Sequence, residues 1–89
     1  MKWTVTWKPS ALRQMTALWM KSVRKAAFTQ ASNETEKLLH DHPRELGESR
    51  EGFERVYIHP PLCFLYDVIP DDRKVIVISV VELTTRDSS

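Results

Sequence analysis

The spacing of apolar residues constrains this fold more than any other feature of the sequence, because its period changes twice. Over residues 3–7, tryptophan and valine alternate with threonine, and this period of two predicts a half-buried strand that Pro9 ends. Over residues 11–19 the apolar positions recur at three and four, which predicts an amphipathic helix with Ser10 as its N-cap. The apolar stripe of that helix is expected to face the sheet.

A second helix is predicted from about Val23 to about His42, where Pro43 stops it. Its apolar residues continue the helical spacing as far as Leu38 and Leu39. Ser22 either caps or breaks the pattern between the two segments. The spacing therefore favours a helical hairpin, and a single bent helix fits it as well.

Beyond the helices the period returns to two. The segments 53–59, 62–69 and 74–83 are rich in branched and aromatic residues and are separated by prolines at 60–61 and 70. They predict an antiparallel three-stranded meander. With the first strand and the hairpin, this gives an α+β fold in one domain over residues 1–89, with helices on one face of the sheet and a frayed tail at 84–89.

Both glycines of the chain, Gly47 and Gly52, lie in the segment that joins the second helix to the meander. Glycine adopts positive φ without a steric penalty, so these two positions are expected to be the bends of that connection. The charged residues between them fit a solvated loop.

Charge is distributed unevenly along the chain, although the net charge is only +1. Residues 1–33 carry six basic and no acidic residues, whereas residues 34–89 carry seven basic and twelve acidic ones. The basic end suits a polyanion or an acidic partner peptide, and the same lysines and arginines also fit solvated faces of a strand and two helices.

No apolar run approaches the roughly 18 residues of a membrane span, and the first residues alternate instead of forming a signal sequence. A single cysteine, Cys63, forms no internal disulfide and has no metal-ligand spacing with the histidines. These features predict a cytoplasmic protein with no metal, no cofactor and no contact with a membrane.

If Pro60 and Pro61 form a tight hairpin, cross-strand pairing places Arg55 opposite Tyr66, Tyr57 opposite Phe64 and His59 opposite Leu62. Such a turn requires a cis bond or a longer loop.

Arg55, Tyr57, His59 and Tyr66 are predicted to share an open face that stacks bases and contacts phosphate, or else to form ordinary cross-strand pairs under Arg55. The other set, Val56, Ile58, Cys63 and Leu65, is expected to pack on the helices.

The ordered motifs of this chain resemble the RelE/ParE superfamily of bacterial type II toxins, in particular its short members with a GlyGluSerArg loop. They are TrpLysProSerAlaLeuArgGlnMet at 7–15, AlaSerAsnGluThrGluLysLeuLeu at 31–39, GlyGluSerArg at 47–50, ProProLeu at 60–62 leading to Tyr66, and AspAspArg at 71–73. The resemblance spans residues 3–83. It implies an α+β toxin fold, an antitoxin that wraps and neutralises the toxin, and either cleavage of messenger RNA in the ribosomal A site or inhibition of DNA gyrase.

Departures from the family pattern bear on the choice of activity. Messenger-cleaving members have basic residues on the strand that matches 53–59, an arginine before the tyrosine of the next strand, and a catalytic Arg, His or Tyr near the C-terminus. This chain has Glu54, Val56 and Ile58 in place of the basic residues on that strand, and Cys63 in place of the arginine. Near the C-terminus it has only Glu82 and Arg86 as candidates.

The candidate residues for a ribosome-dependent endoribonuclease are those that can contact the message: Arg50, Arg55, Tyr66 and Arg86. Two other functions stay open. One is a non-catalytic toxin that binds gyrase, and the other is a non-toxic relative that serves as a protein- or RNA-binding module.

Overall fold

The structure, a computed structural model that describes residues 2–83, has the predicted α+β order of elements. The elements are β1 (Thr4–Trp7), α1 (Pro9–Lys21), α2 (Lys25–Asp41), β2 (Glu48–Ser49), β3 (Glu54–His59), β4 (Leu62–Ile69), a 3-10 turn (Pro70–Asp72) and β5 (Lys74–Glu82). The proposed tail at 84–89 lies outside the described residues.

One five-stranded sheet with the order β1-β5-β4-β3-β2 organises the molecule. Strands β3, β4 and β5 are consecutive antiparallel neighbours, so the predicted meander is confirmed. Two pairings were not predicted: β1 runs parallel to β5, and the two-residue strand β2 pairs antiparallel with β3 at the opposite edge. The sheet therefore brings the first strand beside the last.

The helices form a hairpin, which decides between the two arrangements that the spacing allowed. The chain breaks at Ser22, whose Oγ accepts a hydrogen bond from the Arg24 N–H at 2.8 Å. The prediction that Ser10 is an N-cap is wrong, because α1 begins at Pro9 and Lys8 occupies the N-cap position. Proline suits the first turn, since a backbone N–H there would have no helical acceptor.

The core lies between the helices and one face of the sheet. Its buried apolar residues are Trp3, Ala11, Phe28, Ala31, Leu39, Leu62, Phe64, Tyr66, Val68, Val75, Val77 and Val80. Every second residue of β4 from Leu62 to Val68 is among them, so the alternation of this strand assigns one of its faces to the core.

The predicted register of β3 and β4 is confirmed, but the predicted faces are wrong. Arg55 pairs with Tyr66, Tyr57 with Phe64 and His59 with Leu62, and the Pro60–Pro61 bond is cis. It is this set that faces the helices, because Leu62, Phe64 and Tyr66 are fully buried.

Two physical reasons account for the reversed faces. Large aromatic rings bury more apolar area than the valine, cysteine and leucine of the other face, which favours their placement in the core. A buried tyrosine hydroxyl also needs a partner, and Tyr66 finds two carbonyl acceptors in the segment that follows α2.

Candidate functional site

The face of the sheet away from the helices is apolar and accessible. We call it the open sheet face and define it by Val56, Ile58, Cys63, Leu65, Ile76 and Val81, which alternate with the core residues of β3, β4 and β5. Ile58 is 54% exposed and Val81 50% exposed. Cys63 is the register partner of both, so the apolar surface is continuous across three strands. Contiguous exposed apolar surface is a common feature of interaction sites.

The charged groups of the open sheet face are mostly acidic. Glu54 and Asp67 alternate onto it and are direct register partners, and Lys74 lies near its end. Over the described strands β3, β4 and β5, no arginine, histidine or tyrosine lies on this face. It therefore offers two carboxylates to a ligand and few groups that would stabilise a negative charge.

Arg55 and Tyr66 are neighbours on the covered face, where both hold the loop after α2. The Tyr66 hydroxyl lies 2.7 Å from the Leu46 carbonyl and 3.1 Å from that of Pro43, and these two acceptors share its one proton. Arg55 donates from Nε to the Leu46 carbonyl at 3.0 Å and from Nη2 to the Gly47 carbonyl at 3.1 Å. Side chains of two strands thus fix the path of residues 43–47.

Burial raises the pKa of the Tyr66 hydroxyl above its ordinary value of 10.0, and the nearby Arg55 guanidinium only partly offsets this effect. The hydroxyl is therefore protonated at neutral pH. A protonated hydroxyl is the form that the carbonyls of Pro43 and Leu46 require, since carbonyl oxygens only accept hydrogen bonds.

Both glycines of the loop adopt positive φ, as predicted, at 69° for Gly47 and 59° for Gly52. They differ in their surroundings. A Cβ atom at Gly47 would overlap the carbonyl oxygen of Val56, whereas a Cβ atom at Gly52 would meet no atom within 4 Å. Gly47 thus permits both the bend and the close approach of the loop to β3, while Gly52 permits only the bend.

Of the other two candidate residues, Arg50 is the one that the structure describes. Arg50 is exposed and lines a shallow depression with Ser49, Glu51 and Glu54, so acidic groups surround it. Arg86 lies outside the described residues. Of the three predicted residues that the structure describes, it brings together Arg55 and Tyr66, and Tyr66 has no exposed surface through which to contact a message.

His59 connects the end of β3 to α2. Its Nε2 lies 2.8 Å from Oε1 of Glu34. Partial burial lowers the pKa of His59, but its hydrogen bonds to Glu34 and to the Pro60 carbonyl outweigh this, so the net pKa is raised above 6.5. A hydrogen bond from Gln30, and then the one from His59, lower the pKa of Glu34 below 4.5.

Sequence reasoning missed the open sheet face, although the sequence held a signal for it. The resemblance implies basic residues in messenger-cleaving toxins at the positions of Glu54, Val56 and Ile58, and residues that meet a message must be accessible. The resemblance alone therefore favoured Val56 and Ile58 on the open side.

Residues 2–83 contain no helix long and apolar enough to cross a membrane, and no group of three or more potential metal ligands.

Sequence comparison finds no relative: no family model matches the chain, and neither does any curated protein. Solved structures do match. A chain of the RelBE2 toxin–antitoxin complex from Mycobacterium tuberculosis has a TM-score of 0.74, with 15% identity over 92% of each chain. A chain of the chromosomal ParDE system from P. aeruginosa has a TM-score of 0.69, with 11% identity over 92% of this chain and 97% of that one.

The isolated RelE toxin from E. coli matches with a TM-score of 0.68 and 18% identity, over 96% of this chain and 88% of the toxin. At such identities the likeness is one of fold. The assignment to the short members with a GlyGluSerArg loop stays a prediction. The geometry and these matches agree on one assignment: the chain has the fold of the RelE and ParE toxins.

Proposed function

We propose that this chain is the toxin of a type II toxin–antitoxin system and that it acts by binding its target instead of cleaving messenger RNA. The observation that carries the second part is the composition of the open sheet face. Val56, Ile58 and Cys63 lie there, at the positions where the messenger-cleaving members have basic residues.

Cleavage through a 2′-hydroxyl needs a group that activates the hydroxyl, a cation that stabilises charge on phosphorus, and an acid that protonates the leaving oxygen. Valine, isoleucine and a cysteine thiol supply no cation. The register pair Glu54 and Asp67 would repel the phosphates of a message at the same face. Binding an apolar protein surface is the chemistry for which this face is suited.

The proposed partners are a cognate antitoxin and a target protein. RelBE2 and ParDE are toxin–antitoxin systems, and their fold is the one found here. In this proposal an apolar segment of the antitoxin covers the open sheet face and thereby blocks the target. DNA gyrase is the target that the resemblance offers for a toxin that does not cleave RNA, and the cytoplasm is the proposed compartment.

The test is induction of the chain in a bacterial host, with primer extension on cellular messenger RNA and a gyrase supercoiling assay in parallel. We expect growth arrest without new message ends, and we expect Ile58→Lys to relieve the arrest because it places a charge in the apolar surface. Thr4→Lys, at the exposed sheet edge, is the matched control and should remain toxic. New message ends on induction would contradict the proposal.

The second candidate, message cleavage, rests on the adjacency of Arg55 and Tyr66. Tyr66→Phe separates the two functions. It removes a hydroxyl that is bonded to Pro43 and Leu46, so stability should fall by about 1–2 kcal/mol, measured by urea unfolding, while toxicity persists. Toxicity and message ends that both disappear in a folded Tyr66→Phe protein would favour the nuclease.

A further inference from the structure

A pocket of about 280 Å³ lies beyond the end of α2, on the covered side of the sheet. Its walls include Arg44, Ser49, Phe53 and Arg55, and Val68 contributes apolar surface. Ser49 and Arg55 are register partners, so the edge strand β2 and the strand β3 together shape it. The alternation of β3 places this pocket on the opposite side of the sheet from Val56 and Ile58.

Two guanidinium groups converge on this pocket with donors to spare. Arg55 is oriented by its bonds to Leu46 and Gly47 and by its contact with the Tyr66 hydroxyl. These use at most three of the five N–H donors of a guanidinium, so at least two are left for a ligand. Arg44 is exposed and, within residues 2–83, makes no side-chain hydrogen bond or ion pair. Among the residues that the structure describes, no acidic side chain lines the pocket.

The remaining walls define the class of anion. Ser49 adds an exposed hydroxyl, which can donate to an oxygen. Phe53 is 62% exposed at the rim, and an exposed aromatic ring beside paired arginines is the arrangement on which a nucleic-acid base stacks. The planar guanidinium of arginine matches the geometry of phosphate oxygens and can donate two parallel hydrogen bonds to them.

We propose that this pocket binds the phosphate group of a nucleotide, with Arg44 and Arg55 on the phosphate oxygens and the base against Phe53. At about 280 Å³ the pocket has room for a phosphate and its sugar, and the exposed Phe53 at its rim is where the base would lie. The site lies away from the open sheet face, so it can be occupied whether or not that face holds a protein partner.

The experiment is an amide NMR titration of the full chain with adenosine 5′-monophosphate, adenosine and inorganic phosphate. We expect adenosine 5′-monophosphate to shift the amides of residues 49–55, inorganic phosphate to shift them with weaker affinity, and adenosine to leave them unchanged. Arg44→Gln should weaken nucleotide binding about tenfold, because it removes one charge-assisted contact. Phe53→Leu should reduce nucleotide affinity to that of inorganic phosphate.

Arg13→Gln is the matched control, since Arg13 is an exposed arginine on α1. It should bind the nucleotide as the unmodified chain does. Equal affinity of Arg44→Gln and Arg13→Gln would overturn the site, as would the absence of shifts at millimolar nucleotide. Equal affinity for nucleotide and inorganic phosphate would overturn the role of the base. Arg44 bonds to no other described residue, so its replacement leaves the fold intact.

Discussion

The two faces of the sheet differ in which side chains they cover: the covered face holds bonded polar side chains, and the open sheet face exposes apolar ones. On the covered face, Arg55, His59 and Tyr66 are each bonded to protein atoms, and two of them hold the loop after α2. On the open sheet face, Ile58 and Val81 are half exposed.

This difference shows that the chemical character of a face does not tell whether it meets water. A polar residue can be buried at small cost where backbone carbonyls are available to it, and the loop at 43–47 supplies them. An apolar face can stay exposed where a partner covers it in function. Substitutions on the two faces test this contrast.

Truncation of one aromatic or aliphatic side chain on each face should separate the faces most clearly. Phe64 is fully buried and forms an edge-to-face pair with Trp7, with ring centroids 6.3 Å apart. Phe64→Ala should lower the free energy of unfolding by about 3–5 kcal/mol. Ile58→Ala, on the open sheet face, should lower it by less than about 1 kcal/mol, since half of the side chain already meets water. Urea unfolding measures both values.

Similar losses for the two variants would contradict the assignment of faces. Val77→Ala and Val81→Ala repeat the comparison on β5 with matched side chains, because Val77 is fully buried and Val81 is 50% exposed. The valine pair removes the same atoms from both faces, so a difference between its members reports burial alone.

Sequence patterns predicted both helices and the strands β1, β3, β4 and β5. They also predicted the β3–β4 register, because the two adjacent prolines constrain the turn between those strands. They assigned the two faces of the β3–β4 hairpin wrongly. Both faces of this hairpin are rich in apolar residues, so alternation divides the residues into two sets without deciding which set meets the helices. That choice depends on Pro43 and Leu46, which lie about twenty positions from Tyr66 and are brought there by the fold.

The edge strand β2, the pairing of β1 with β5 and one wall of the pocket were not predicted from the sequence. β2 has two residues, Glu48 and Ser49, with no apolar pattern, and it exists because Gly47 lets the chain approach Val56. The parallel pairing of β1 with β5 joins residues about seventy positions apart, which no local pattern encodes. No sequence pattern placed Arg44 at the pocket, because its position depends on the path of the loop after α2.

The two glycines test the covered face through the loop that it holds. Gly52→Ala should cost about 1 kcal/mol in unfolding free energy, because alanine tolerates its φ of 59° poorly but meets no other atom. Gly47→Ala should cost about 2 kcal/mol more, because its Cβ would also collide with the Val56 carbonyl and the loop would have to move. Thermal and urea unfolding give the two values.

An equal cost at both glycines would mean that close packing of the loop on β3 contributes nothing beyond the backbone angle. The Arg55 bonds supply an independent check. If Gly47→Ala displaces the loop, the backbone amides at position 47 and its neighbours should exchange with solvent faster than in Gly52→Ala. The reason is that the loop would move away from the Arg55 side chain that holds it.

The smallest expected effect concerns pH, through His59 and Glu34, which join β3 to α2. The pKa of His59 is raised, so its contribution to stability is complete below about pH 6.5 and is lost as pH rises through the raised value. The pKa of Glu34 is lowered, so its contribution is complete above about pH 4.5 and is lost as pH falls through the lowered value. The pair should therefore stabilise the fold most between pH 4.5 and 6.5.

His59→Gln should accordingly lower the urea midpoint within that window and approach the unmodified chain at higher pH. The shift should be small, because solvent screens a pair in which the Glu34 side chain is 50% exposed. His42→Gln removes an imidazole that is 64% exposed and pairs with Glu45 instead, so it controls for the loss of a histidine elsewhere. A His59→Gln profile parallel to that of the unmodified chain at every pH would show that the link between β3 and α2 rests on packing and owes nothing to charge.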